Sequence, residues 1–300
     1  MLSRTDLFLL SLLTFFWGVN WPVMKYALLT YPPLSFRTLT ILIAIVALGG
    51  YMVLIKDRFS IPKDERWRVV KLALLNMVIW HFLTIYGIKF LTSGRAAIIG
   101  YTMPIWAMLF GVLVYKAKFT WRSGLGVSLA LGATLLLALE EFGSLIGQPV
   151  GLVLMLSAAI TWGIGTVTMN RTKLSISNAS LTFWMMAITF LAMVLASIGF
   201  EMKDWRPPTT GEWWAIFYNA LLVFCVCHII WFRLARKLPP IASGLSVMLI
   251  PVLGVFSGAW ALDEAIGPYD ISALILILIA MAVVLLPRRN TPDEAAAGAP

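Results

Sequence analysis

Long apolar runs alternate with short polar segments along almost the whole chain. A helix that crosses a membrane needs about 20 mainly apolar residues, and runs of roughly that length recur. They lie near residues 7–29, 34–55, 68–91, 96–115, 122–140, 149–170, 177–199, 211–235, 241–262 and 267–287. The pattern predicts an all-α polytopic membrane protein with ten transmembrane helices, and the lipid bilayer is its first expected partner.

The composition agrees with a membrane location. Hydrophobic residues make up 60% of the chain and charged residues 12%, whereas soluble domains carry roughly a quarter charged residues. The net charge of +9 is spread between the apolar runs, and without a basic stripe it argues against a nucleic-acid partner. If the N-terminus is inside, 17 of the 23 Lys and Arg residues fall in cytoplasmic segments, as the positive-inside rule requires. We therefore expect both termini in the cytoplasm.

The second half of the chain matches the first half weakly when the sequence is shifted along itself. A shift of 147 residues places His81 on His228, the two histidines of the chain. A shift of 145 places Trp17-Gly18 on Trp162-Gly163. The matches predict an internal repeat of five spans.

The repeat sets the expected organisation. We expect one five-helix repeat at 7–140, a second at 149–287, and a disordered tail at 290–300. Because each repeat holds an odd number of spans, the second copy enters the membrane from the opposite side. Inverted repeats are typical of secondary transporters, whose halves exchange roles around a site near the bilayer midplane.

Polar side chains inside the apolar runs are candidates for substrate recognition. Asn20 shares one helical stripe with Trp17 and Trp21, and its amide can bind the amino or carboxylate group of a solute. A hydrogen bond that merely joins two helices is the alternative. His81 and His228 are ionisable groups inside spans, which points to substrate contact or proton handling. A neutral imidazole bonded to a neighbouring helix is the alternative.

Aromatic residues deep in the spans are the other candidates. They would line a cavity for apolar and aromatic side chains with broad specificity, or they would simply pack the core. Lys25, near the end of its span, either snorkels to the interface or binds a substrate carboxylate. The further deep aromatic candidates are Trp80, Tyr101, Trp162 and Trp184. Thr166, which shares a helix face with Trp162, is a candidate as well.

Motifs of other protein classes are missing from the sequence. It contains no H-E-x-x-H, no G-x-S-x-G and no G-x-x-x-x-G-K, so there is no catalytic residue to name and a primary pump is excluded. Cys225 and Cys227 point to different helix faces, and His228 alone is not enough to complete a metal site. We expect neither a metal nor a cofactor.

Several short motifs, taken in order, resemble the EamA branch of the drug/metabolite transporter superfamily over about residues 7–287. Within that branch, the chain is most similar to bacterial inner-membrane exporters of aromatic and other amino acids. The motifs that carry the resemblance are Phe16-Trp17-Gly18-Val19-Asn20 with Lys25, Phe36-Arg37, Thr92-Ser93 through Pro104, Trp162-Gly163 and Leu262-Asp263-Glu264.

The resemblance implies a central cavity surrounded by spans one to four and six to nine, with spans five and ten outside. One departure is that Glu264, which ends the ninth span, is matched by Ala117 in the first half. We expect a secondary transporter that exports amino acids, including aromatic ones and methionine, by alternating access, with a monomer as the default state. A drug or nucleotide-sugar carrier of the same fold is one alternative, and an intramembrane enzyme is the alternative from another class.

Overall fold

A computed structural model describes residues 4–116, 119–143, 149–227, 230 and 240–285. Within these ranges every regular element is helical, as the apolar pattern predicts. The helices are α1 (Arg4–Leu28), α2 (Pro33–Leu54), α3 (Arg66–Phe90), α4 (Ser93–Tyr115), α5 (Trp121–Gly143), α6 (Pro149–Arg171), α7 (Asn178–Glu201), α8 (Thr210–Cys227), α9 (Pro240–Leu262) and α10 (Pro268–Leu285).

Eight of these helices, α1 to α8, are long and apolar enough to cross a membrane. The last two contain shorter apolar stretches, Leu249–Leu262 and Pro268–Val284. An all-helical membrane protein is therefore confirmed for the described ranges, while the count of ten spans stays a prediction.

Local sequence explains where several helices begin. Pro33 takes the first position of α2, where its missing N–H and fixed φ cost nothing. The Thr92 hydroxyl accepts a hydrogen bond from the Arg95 amide at the start of α4. At the start of α8, Thr209 and Glu212 form a reciprocal capping box.

Helices α3 and α8, which hold the third position in the first and second predicted repeat, contain π-helical segments. These segments are Leu74–Val78 in α3 and Tyr218–Cys227 in α8, and each contains an asparagine, Asn76 or Asn219. A π turn places an extra residue in the helical turn and is common at functional sites. Both asparagines face the large cavity described below.

The packing of the helices repeats with a shift of five helices. Each of the following packed pairs has an equivalent pair in which both helix numbers differ by five. α1 packs against α9 as α4 packs against α6, and α3 packs against α6 as α1 packs against α8. α2 pairs with α7, and α5 pairs with α10. This repetition is what two interlocked five-helix repeats require. The division at 7–140 and 149–287 itself stays a prediction, and the tail at 290–300 lies outside the described residues.

The antiparallel pair α2 and α7 defines the two ends of the molecule. At one end the Glu201 carboxylate accepts hydrogen bonds from the amides of Leu34 and Ser35, both at 2.9 Å. At the other end the Ser177 hydroxyl donates to the Asp57 carboxylate at 2.6 Å. We call these the Glu201 end and the Asp57 end.

Candidate functional site

A cavity of about 310 Å³ lies between seven helices, α1 to α4 and α6 to α8. Neither α5 nor α10 contributes a described residue to its lining, and these two helices pack against each other. The cavity is therefore lined by residues of both predicted repeats and not of one alone. Ligand sites of membrane bundles are commonly built in this way.

Seven of the residues that the sequence singled out line this cavity. The Trp80 and Trp162 rings lie 4.9 Å apart, and the Trp21 and Tyr101 rings lie 6.2 Å apart. Methionine thioethers fill much of the remaining wall, and such flexible, polarisable side chains adapt to varied apolar shapes. The predicted residues in the lining are Trp17, Asn20, Trp21, Trp80, His81, Tyr101 and Trp162, and the methionines are Met24, Met77, Met103, Met169 and Met185.

The other four candidates lie elsewhere. Lys25 donates to the backbone carbonyls of Ile88 and Lys89, at 3.1 and 2.9 Å, and so joins α1 to the end of α3. The Trp184 indole donates to the Phe59 carbonyl at 2.6 Å near the Asp57 end. Thr166 is half-buried on α6 but does not line the cavity. His228 lies outside the described residues.

A polar network at the cavity wall joins α1, α2 and α8. The Asn219 amide donates to the Asn20 side-chain carbonyl at 2.7 Å. The Arg37 guanidinium donates to the Asn219 carbonyl at 3.5 Å and approaches the Met24 sulfur at 3.1 Å. Asn20, predicted from its depth in the first span, thus contacts Asn219 and shares a network with Arg37, which the sequence showed only as part of the Phe36-Arg37 motif.

Arg37 is the most important residue that sequence reasoning missed. The sequence shows it only as part of the Phe36-Arg37 motif, yet it is 2% exposed and lines the cavity. Its guanidinium lies 5.8 and 5.6 Å from the ring centres of Phe36 and Phe224. The signal was available, because Arg37 falls inside the apolar run 34–55, where a cation is costly and points to function.

The His81 ring is buried at the same wall. Its centre lies 5.2 Å from that of Phe224, at an angle of 57°. The side chain is 7% exposed, so the imidazole sits among apolar groups. His81 lines the cavity, and its contact with a substrate stays a prediction.

Among the described residues of α3 and α6 at the cavity, no pair of asparagines is hydrogen-bonded as Asn20 and Asn219 are. Gly165 occupies the position that matches Asn20 under the shift of 145 residues. A Cβ atom on Gly165 would lie 2.6 Å from the side-chain oxygen of Asn76, so the glycine makes room for that amide. Asn76 donates to the Leu72 carbonyl of its own helix instead.

This contact leads to a stability prediction. We expect Gly165→Ala to lower the free energy of unfolding by about 1–3 kcal/mol, because the added methyl overpacks the site against Asn76. Gly199→Ala is the matched control, since a Cβ there meets nothing within 4 Å. Thermal unfolding in detergent, followed by tryptophan fluorescence, measures both. Equal midpoints for the two variants would contradict the close contact.

The cavity reaches the surface at the Asp57 end and is covered at the Glu201 end. Asn178, the first residue of α7, is exposed and lines the cavity. At the other end, the Glu264 carboxylate accepts hydrogen bonds from the Ser93 amide and hydroxyl, both at 2.7 Å, and from the Gly94 amide at 3.4 Å. We call these Glu264 contacts, together with those of Lys25, the outer seal.

Comparison with known proteins identifies the family of this chain. The sequence model of the EamA-like transporter family matches residues 5–139 and, a second time, residues 149–286. The chain belongs to the EamA-like transporter family. This confirms the resemblance at the level of the family, whereas the closer similarity to exporters of aromatic amino acids stays a prediction.

Relatives of this EamA-like chain include three bacterial transporters. The uncharacterized transporter YvbV of Bacillus subtilis is 28% identical and covers 98% of this chain and 95% of its own. The uncharacterized inner membrane transporter YedA of Escherichia coli is 24% identical over 93% and 90% of the two chains. The S-adenosylmethionine/S-adenosylhomocysteine transporter of Chlamydia muridarum is 23% identical over 87% and 86%.

A solved crystal structure shares the fold. It superposes with a TM-score of 0.66 over 94% of this chain and 98% of its own, at 18% sequence identity. The EamA-like chain is therefore a multi-pass membrane transporter, a class that agrees with the expectation of no catalytic residues.

Proposed function

We propose that this protein is a secondary transporter that exports small amphipathic solutes from the cytoplasm across the inner membrane. Aromatic amino acids and methionine are the leading substrates. The observation that carries the proposal is the cavity itself, whose aromatic and thioether walls end in the polar network of Asn20, Asn219 and Arg37. Such walls bind an apolar side chain by shape and stacking, while the polar end holds a charged group.

The covering of the cavity supports alternating access. A transporter of this kind opens its site to one side of the membrane at a time. Here the cavity reaches exposed Asn178 at the Asp57 end, and the outer seal covers the opposite end. If the N-terminus is cytoplasmic, as the charge pattern predicts, the Asp57 end faces the cytoplasm. The structure then corresponds to the state in which an exporter loads its substrate.

Transport by the purified protein in liposomes tests the proposal. We expect labelled phenylalanine, tryptophan and methionine to cross faster than in empty liposomes. The panel should also include S-adenosylhomocysteine, which has a methionine-like part, because one relative is named for transporting it, and a lipophilic cation as a model drug. If none of the amino acids crosses faster than in empty liposomes, the proposal fails. Movement of the cation alone would favour a drug carrier, and chemical conversion of a solute would favour an enzyme.

A further inference from the structure

Arg37 is a buried cation with no counter-ion in the part of the chain that the structure describes. It is 2% exposed, and its Nε atom has no hydrogen-bond partner there. Arg95, by contrast, is paired with Asp270 and with Glu140, both at 2.7 Å. An unpaired charge in an apolar interior is costly, so its retention calls for an explanation.

Two carboxylates at the Glu201 end, those of Glu201 and Glu212, already have hydrogen-bond partners. Both oxygens of Glu201 accept hydrogen bonds, from the start of α2 and from the Tyr86 hydroxyl. Glu212 is taken by Arg206 and by the Thr30 hydroxyl. Neither carboxylate has a contact with Arg37 within the described ranges.

Arg37 lines the cavity, and most of its five guanidinium N–H groups have no hydrogen-bond partner among the described residues. It makes one long hydrogen bond, of 3.5 Å, to Asn219 and one contact to the Met24 sulfur. A guanidinium offers five N–H donors in a planar fork that matches a carboxylate in two parallel hydrogen bonds. The Asn219 contact also orients the fork, because the same amide is held by Asn20.

The cavity has no acidic residue among its described lining, so its fixed charge is positive. The position that matches Arg37 in the second half is Trp184, which lies outside the lining. The described lining therefore carries one fixed positive charge, near its covered end, and no group that would neutralise an organic cation.

We propose that Arg37 binds the carboxylate of the transported solute and that the cavity selects solutes with one free carboxylate and an apolar or aromatic body. This inference rests on the proposed function of the cavity as the transport site. The substrate then supplies the counter-ion that Arg37 lacks, and the α-amino group contributes less to recognition than the carboxylate does. Organic cations without a carboxylate are rejected.

A series of phenylalanine analogues tests the proposal on the unaltered protein. The series is phenylalanine, 3-phenylpropionate, phenylalaninamide and phenethylamine, measured by transport in liposomes and by quenching of tryptophan fluorescence. We expect the first two to bind, and the last two, which lack a carboxylate, to bind about 100-fold more weakly. If the amide and the amine bind as well as phenylalanine, the proposal is overturned while the transport function stands. If no member of the series binds or moves, the proposed function itself fails.

Variants at Arg37 give an independent measurement. Arg37→Gln should bind phenylalanine and phenylalaninamide with equal, low affinity, because the discriminating charge is gone, and Arg37→Lys should restore part of the preference. Size-exclusion profiles and unfolding temperatures show whether each variant is folded. A folded Arg37→Gln protein that still prefers phenylalanine over its amide by the same factor would overturn the proposal. If neither variant folds, the analogue series on the unaltered protein decides.

Discussion

Asn219→Ala is expected to lower the transport rate at limiting substrate by about tenfold to 100-fold. The Asn219 side chain donates to Asn20 and accepts from Arg37, and it is completely buried. Its removal leaves the Asn20 carbonyl and one Arg37 donor without their partners, which costs roughly 1–3 kcal/mol for each buried group. Uptake of labelled phenylalanine into liposomes, compared at equal amounts of inserted protein, measures the loss.

Asn170→Ala is the matched control for this experiment. Asn170 lies near the end of α6, is exposed, and does not line the cavity. Its replacement should leave transport within about twofold, because an exposed amide keeps its hydrogen bonds to water. An Asn219→Ala protein as active as Asn170→Ala would mean that the network of Asn20, Asn219 and Arg37 only joins helices.

Glu264→Ala is expected to open the cavity at the Glu201 end. The carboxylate accepts three hydrogen bonds from Ser93 and Gly94 at the start of α4, and charge-assisted bonds to a helix N-terminus are stronger than neutral ones. Its loss destabilises the covered state relative to the state open at that end. A shift of about 1.4 kcal/mol would raise the population of the second state tenfold.

A cysteine at Met24 reports this opening, because Met24 lines the cavity near its covered end. The Met24→Cys substitution is made in a background without Cys225 and Cys227. A membrane-impermeant thiol reagent applied from the Glu201 side should react with this cysteine about tenfold faster when Glu264→Ala is also present than when Glu264 is intact. Glu140→Gln is the control, since Glu140 pairs with Arg95, which keeps Asp270. An unchanged labelling rate in a folded Glu264→Ala protein would show that the outer seal does not hold the cavity closed.

The sequence predicted the class of protein well because membrane burial acts on composition over whole segments. About 20 apolar residues in a row are legible without knowing any neighbour, and all eight spans of sufficient length fall where the apolar runs predict them. The aromatic wall was also predictable. Trp17, Trp21, Trp80, Trp162 and Tyr101 all line the cavity.

Two of the candidates lie outside the cavity lining for a common reason. Lys25 and Trp184 were candidates because of their type and depth, but each uses its donor on a backbone carbonyl of a segment far away in the chain. A single sequence does not show which carbonyl lies nearby. Arg37 was missed for the reverse reason, because a cation near the end of a span usually reaches water.

It follows from the amino-acid pattern alone that the chain is helical, lies in the membrane and carries polar and aromatic side chains in the middle of its spans, because hydropathy and helical period are local properties. Which of those side chains share one cavity depends on how the helices pack. Asn20 meets Asn219 across 199 positions of the chain. That Arg37 has no counter-ion among the described residues is likewise a property of the packed helices, since it depends on where the fold places the acidic groups.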